Sequence, residues 1–272
     1  MTTCRRVSDE RFSASGFPAV DAAGDAERYV EYLDAQAATP FWQAAKRATL
    51  DALALRHGTT ALDVGCGTGE EVRHMAAAAG AAVGVDASRV LVEEARRRTG
   101  PEYEARFEVA RAEELPFEDA SFHGVRAERT LQHVDDLGAA LDEMWRVARA
   151  GARIVALEPD WDTLVIDAGP LATTRTVCRA WADSIRNPAV GRQVARRLRK
   201  LGAVEVQVEP KTAVLTEFVF AEQQYGLNSL ALSALSGSAG RAWLNTLRER
   251  DAGGAFLASV TYFLVSARKP AG

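Results

Sequence analysis

The chain has 272 residues, 47% hydrophobic and 26% charged, with 33 lysines and arginines against 37 aspartates and glutamates. That composition excludes a disordered chain and a collagen-like fibre, and the length lets one domain bury most of its unfolded surface. A formal charge of −4 at pH 7 argues against nucleic acid as the main partner, and no apolar run reaches the roughly 18 residues of a membrane span.

The opening residues lack the apolar stretch of a secretory signal, which gives a cytoplasmic expectation. Residues 1–24 are small and polar and read as a flexible arm, with one domain expected over 25–272. From Asp25 to Leu55 the apolar spacing is helical, and Pro40 divides it into two helices. The short apolar run Ala61–Gly65 reads as a strand, followed by a helix over 70–79, a strand over 82–86 and a helix over 88–98. Strands are expected at 106–110, 122–127, 153–158, 204–208 and 256–267. Helices are expected at 137–149 (Gly151 following as a C-cap), 171–186 and 191–201, with a helix-rich insertion at 216–254. Strands alternating with helices, some continuously apolar, specify an α/β fold: a Rossmann-like, doubly wound, mostly parallel sheet.

In such sheets ligands bind at the carboxyl ends of the strands, where the strand order reverses. That place holds Asp63, Gly65, Cys66, Gly67 and Gly69, whose glycines permit tight turns and close approach of a ligand. Glu70 and Glu71 occupy the first turn of the following helix, where two carboxylates would repel a pyrophosphate. They suit a cationic, phosphate-free ligand such as S-adenosylmethionine; complementing the helix dipole is their bland alternative. Asp86 ends the next strand, where an acid accepts bonds from ribose hydroxyls, or else caps the helix that follows. The basic stretch Gly191–Lys200 places Val194 and Leu198 on one face and cations on the other, as a solvated amphipathic helix does. Cys4, Cys66 and Cys178 are far apart and odd in number, and the four histidines form no ligand pair, so neither a disulfide nor a metal is expected.

Four ordered segments, Leu62–Glu70, Val85–Asp86, Ala112–Phe117 and Leu131–Val134, resemble the successive motifs of class I S-adenosylmethionine-dependent methyltransferases. The nearest branch is the ubiquinone/menaquinone-biosynthesis type with its small-molecule relatives in actinobacterial secondary metabolism. The resemblance covers residues 58–160, which it marks as a cofactor-binding core between a helical lid (25–57) and a C-terminal half (161–272). It implies a seven-stranded sheet whose last strand is antiparallel. Carried over by position, Asp63 and the loop 65–69 would hold the methionine end of the cofactor, and Asp86 the ribose. Ala87, Ala112 and Glu113 would lie along the adenine, and Glu128 near the methionine portion. Arg111 departs from the family's usual Asp or Asn, and a guanidinium cannot accept a bond from the adenine amino group. His123 departs likewise from a common Asp.

The reaction implied is methyl transfer to a small apolar or aromatic metabolite, most simply at oxygen, as in antibiotic and other natural-product biosynthesis. His133 is the candidate general base, with a backbone-bonded structural histidine as the alternative. Tyr29, Tyr32 and Trp42 from the lid, Trp161 past the fifth strand and Tyr225 from the insertion are the candidate acceptor residues; each also reads as core. Alternatives are a cyclase-like enzyme that binds the same cofactor without transferring methyl, and a nicotinamide oxidoreductase. A monomer or homodimer with no nucleic-acid or membrane partner is expected.

Overall fold

The computed structural model describes residues 14–22 and 27–271. Two helices, α1 (Glu27–Ala37) and α2 (Pro40–Leu53), precede β1 (Thr59–Val64), α3 (Glu70–Ala79), β2 (Gly80–Asp86), α4 (Arg89–Arg98), β3 (Ala105–Val109) and β4 (Phe122–Glu128). Then come α5 (Leu137–Val147), β5 (Ala148–Ile166), α6 (Leu171–Ser184), α7 (Val190–Lys200) and β6 (Val204–Leu215). The chain closes with α8 (Phe218–Tyr225), α9 (Leu227–Ala234), α10 (Gly237–Ala252) and β7 (Ala258–Arg268).

The seven strands form one sheet in the order β3-β2-β1-β4-β5-β7-β6. Pairs on the β3 side through β5 are parallel, and β7 runs antiparallel to both β5 and β6. The last strand is therefore the reversed one, as expected. Strand alternation sorts the core into two layers. Val155 and Leu157 join a cluster with α2, α3 and α6, whereas Ile154 and Ala156 join one with α5 and α7. After β1 the chain builds outward through β2 and β3, then returns to place β4 on the other side of β1. The strand order reverses there, and a crevice opens at the carboxyl ends of β1 and β4.

Three boundaries differ from expectation. The α5 helix stops at Val147, because Ala148 already pairs with Phe122. Gly151 is consequently not a helix cap; it takes φ +82° within β5 and donates its N–H to Lys269 O at 3.0 Å. β5 runs through Pro159 to Ile166, because the β4 ladder ends at Leu157 and only β7 pairs beyond it. β6 continues through Pro210, which an edge strand tolerates. Of the segment expected as an arm, residues 14–22 form a 3-10 helix in which Val20, 1% exposed, packs with Tyr29 and Leu91. Residues 1–13 and 23–24, Cys4 among them, lie outside the described residues.

Candidate active site

The loop between β1 and α3 is shaped by three glycines in the left-handed region, Gly65 (φ +75°), Gly67 (φ +52°) and Gly69 (φ +77°). The N–H groups of Gly65 and Cys66 both donate to Val85 O, at 2.8 and 2.9 Å, tying the loop to β2. A Cβ on Gly65 would lie 2.0 Å from Thr130 Oγ1, so the loop and the segment after β4 meet without room for a side chain. Asp86, at the end of β2, accepts the Gly67 N–H on Oδ2 and the Ser88 N–H on Oδ1, each at 2.9 Å. Ser88, not Asp86, caps α4, its hydroxyl accepting from Leu91 N.

These elements border a cavity of about 330 Å³. Its loop side is lined by Gly65, Gly67, Asp86, Ala87, Arg111, Ala112 and Glu113, with Glu128 from the end of β4. The remaining wall is largely aromatic: Phe17, Tyr32, Trp161, Trp181 and Tyr262, with Arg129, Gln132, His133 and Gln224. Trp161 reaches it from within β5, whose extension past Glu158 carries the indole to the crevice; its Nε1–H donates to Gln132 Oε1 at 2.8 Å.

Six of the expected site residues do not line the cavity. Asp63 is 1% exposed and accepts from Arg126 Nη1 at 2.8 Å. Cys66 points back toward Gly84, where a Cβ would meet its Sγ at 2.8 Å, and Gly69 abuts Phe107. Tyr29 packs edge-on to Phe17 at 5.1 Å between ring centroids. Trp42 lies beneath the Arg129 guanidinium, whose Cζ is 3.9 Å from the ring centroid. Tyr225 is 1% exposed and packs on Trp181, with centroids 5.3 Å apart.

The acidic loop is not an open negative patch. Lys46, from α2, donates to Glu70 Oε2 at 2.8 Å and to Glu71 Oε2 at 2.7 Å. Arg126, 2% exposed, joins Asp63, Thr49 and Glu128 in one buried cluster. Burial pushes the Asp63 carboxyl up to about 7 against the opposing pull of Arg126. Burial opposes ionisation of Glu71 too, but the Arg126 and Lys46 charges hold it below its ordinary range. These cations come from Lys46 and Arg126, and the sequence shows neither partner beside the loop. Arg111 pairs with Glu113 and Asp135, and His123 accepts the Thr60 N–H on Nδ1 at 3.2 Å, so both departures from the family pattern have structural partners.

His133 lies on the cavity wall 5.8 Å from the Phe17 ring. Burial, then the Arg129 and Arg186 charges, push its imidazole down to about 4, so it is neutral at pH 7 and a weak base. Arg129, Gln132, Trp181, Gln224 and Tyr262 complete the wall although spacing did not select them for it. For Tyr262 the period-two alternation of β7 carried a partial signal; for Trp181 there was none beyond an apolar helix position. Among the described residues no helix is long and apolar enough to cross a membrane, and no cluster of ligating side chains could hold a metal ion.

The family model described as a methyltransferase domain matches residues 62–156. A 37.1 kDa protein of transposon Tn4556 from Streptomyces fradiae, itself uncharacterized, is 40% identical over 248 residues, covering 88% of this chain and 71% of that one. The O-methyltransferase resE of Aspergillus sclerotiorum is 40% identical over 101 residues, covering 36% of this chain and 38% of its own. Demethylmenaquinone methyltransferase of Beutenbergia cavernae is 39% identical over 119 residues, covering 43% and 48% respectively. The chain thus matches less than half the length of these two enzymes. Among solved structures, the YcgJ protein of Bacillus subtilis shares the fold with a TM-score of 0.62 at 16% identity, over 85% of this chain and 100% of that one. Geranyl diphosphate C-methyltransferase of Streptomyces coelicolor, solved with S-adenosyl-L-homocysteine, does so with a TM-score of 0.55 at 17% identity, over 84% and 76%. With its ordered motifs, its reversed last strand and these matches, the chain belongs to the class I S-adenosylmethionine-dependent methyltransferases.

Proposed function

We propose that the cavity seats S-adenosylmethionine on its loop side and a small aromatic metabolite against its aromatic wall, and that the reaction is methylation of an acceptor oxygen in natural-product biosynthesis. The observation that carries this reading is one cavity bordered by both the glycine loop with Asp86 and a wall of Tyr32, Trp161, Trp181 and Tyr262.

The residues fit the cofactor. A carboxylate offers about four acceptor sites, and backbone N–H groups take two of those on Asp86, leaving capacity for a pair of ribose hydroxyls. Ala87 and Ala112 offer small side chains where a flat ring would lie, and among the described residues Gly67 has only Leu33 Cδ1, at 3.3 Å, near the place of a Cβ. When bound, the cofactor supplies an electrophilic methyl group. What the chain contributes is alignment and exclusion of water in a largely apolar chamber. The neutral His133 accepts a proton only from an acidic hydroxyl, since its own basicity is so low. Arg126 and Lys46 hold the carboxylates beneath the loop in place, and Glu128 remains at the cavity surface.

Titration calorimetry with S-adenosylmethionine, followed by assay of S-adenosylhomocysteine formation with candidate aromatic acceptors, tests the reading. Cofactor binding with an acceptor converted but no S-adenosylhomocysteine formed would favour a cyclase-like enzyme; the [4+2]-cyclase SpnF shares the fold with a TM-score of 0.51 at 22% identity. Binding of NADH and not of S-adenosylmethionine would defeat both.

A further inference from the structure

The aromatic wall contains one cation that its neighbours match only in part. Arg129 directly follows β4 and takes φ +53°, a left-handed conformation that side-chain-bearing residues rarely adopt. Its backbone is held there from both sides: its N–H donates to Leu157 O, and Gln132 Nε2 donates to its carbonyl, each at 3.0 Å. The guanidinium stacks on the buried Trp42 ring, is 15% exposed and borders the cavity. It also hydrogen-bonds the Tyr32 hydroxyl.

Its charge is less well served. Glu128 Oε1 lies 3.6 Å from Arg129 Nε, beyond hydrogen-bond distance, while Oε2 of the same carboxylate accepts from Arg126. Arg129 Nε has no hydrogen-bond partner among the described residues. The other charged groups at the cavity are engaged: Asp86 by backbone N–H groups, Arg111 by Glu113 and Asp135, and Arg186 by Asp135. An aromatic acceptor without charge would fill the walls and leave this guanidinium matched only in part.

We propose that Arg129 is a specificity-determining residue that binds an ionised oxygen of the acceptor, so that the acceptor is a planar aromatic compound with an acidic hydroxyl. A fixed guanidinium stacked on a ring prefers a charged oxygen to a neutral one, and its fork suits an oxygen in the plane of an aromatic system. Weak basicity at His133 fits the same acceptor, which needs no strong base to lose its proton. The inference rests on the acceptor occupying the aromatic side of the cavity, as the proposed function has it.

The test uses the full chain saturated with S-adenosylhomocysteine, whose own binding is titrated first and reports on the functional reading alone. Two planar probes are then compared by calorimetry at pH 7: 2-hydroxy-1,4-naphthoquinone, which is ionised, and 2-methoxy-1,4-naphthoquinone, which is neutral. The expected result is roughly tenfold or greater preference for the ionised probe, the worth of one charge-assisted hydrogen bond. Arg129→Gln should bring the two affinities to within about twofold, and Arg129→Lys should retain part of the preference. S-adenosylhomocysteine affinity and thermal unfolding of each variant show whether the fold is kept, and the probe comparison on the unaltered protein does not depend on either variant. Equal affinities, an unchanged preference in a folded Arg129→Gln protein, or no binding of either probe to protein that holds S-adenosylhomocysteine would overturn the assignment.

Discussion

Arg126 Nη1 donates to Asp63 Oδ1 at 2.8 Å, with both side chains 2% exposed. The pair sits under the glycine loop on adjacent strands, and Arg126 also serves Glu128 and Thr49. Removing the cation alone strands two buried carboxylates. Arg126→Met is therefore expected to cost about 3–5 kcal/mol in urea unfolding, the usual penalty for breaking a buried pair from one side. Adding Asp63→Asn should restore part of that loss. A single variant less than about 1 kcal/mol weaker than the parent would mean that the pair is not what holds these carboxylates.

Asp86 yields the most direct ligand prediction. Asp86→Ala removes the acceptor of the Gly67 N–H as well as the remaining acceptor sites at the end of β2. S-adenosylmethionine affinity should fall by roughly 10- to 150-fold, the equivalent of 1.5–3 kcal/mol for a hydrogen-bonded charge. Calorimetry reads this, and unchanged affinity would move the cofactor away from this strand end.

What the sequence disclosed and what it withheld have separate physical causes. Strand and helix order, the glycine loop and Asp86 are local or periodic features, carried by neighbours in the chain, and the element order follows them closely. The aromatic wall is not local. Tyr262 and Trp181 come together at Trp161 only because β7 inserts beside β5 and α6 packs over it, and nothing in their spacing encodes that meeting. The same limit explains the charge reading. Glu70 and Glu71 form an acidic pair in sequence, whereas Lys46, more than twenty residues earlier, pairs with both in space and offsets part of their charge. Trp42 and Tyr225 were open to either role as aromatics, and packing placed them behind the wall.

Two glycines with similar φ separate conformational strain from steric overlap. At Gly58, φ is +85° and nothing among the described residues lies within 4 Å of an added Cβ, so Gly58→Ala should cost about 1 kcal/mol from strain alone. At Gly69, φ is +77° and the Cβ would fall 2.6 Å from the Phe107 ring and 2.9 Å from Ala95 Cβ. Overpacking there adds to strain, and roughly 2–4 kcal/mol is expected. Equal losses in chemical denaturation would contradict the crowding at Gly69.

Asp21 ties the N-terminal 3-10 helix to α4. Its carboxylate accepts from Ser88 Oγ at 2.5 Å, Arg89 N at 2.9 Å and Val90 N at 3.3 Å, at the positive end of the α4 dipole. Asp21→Ala should destabilise by about 1 kcal/mol, as loss of a helix cap does. Because Phe17 of the same segment borders the cavity, limited proteolysis near residues 14–22 should quicken in the variant and slow again when S-adenosylhomocysteine is added. Cleavage at the parental rate would show that the segment is held by its apolar contacts alone.

His133 connects the site to acid stability. Burial and the charges of Arg129 and Arg186 bring its folded value to about 4, below the 6.5 of a free imidazole. Well above pH 6.5 both folded and unfolded chains carry it neutral, and it has no effect on the pH dependence of folding. Between these values the unfolded chain takes up the proton and the folded one does not, so stability falls as pH drops from 6.5 toward 4. The full contribution is about 3 kcal/mol, reached below pH 4. His133→Gln removes the titration, so the variant should lose less stability than the parent between pH 7 and pH 4, whatever its offset at neutral pH. Urea unfolding midpoints at several pH values across that window measure the difference. Parallel curves for the two proteins would show that the imidazole protonates as easily in the fold as in solution, and that its environment is more hydrated than the surrounding Phe17, Arg129 and Arg186 imply.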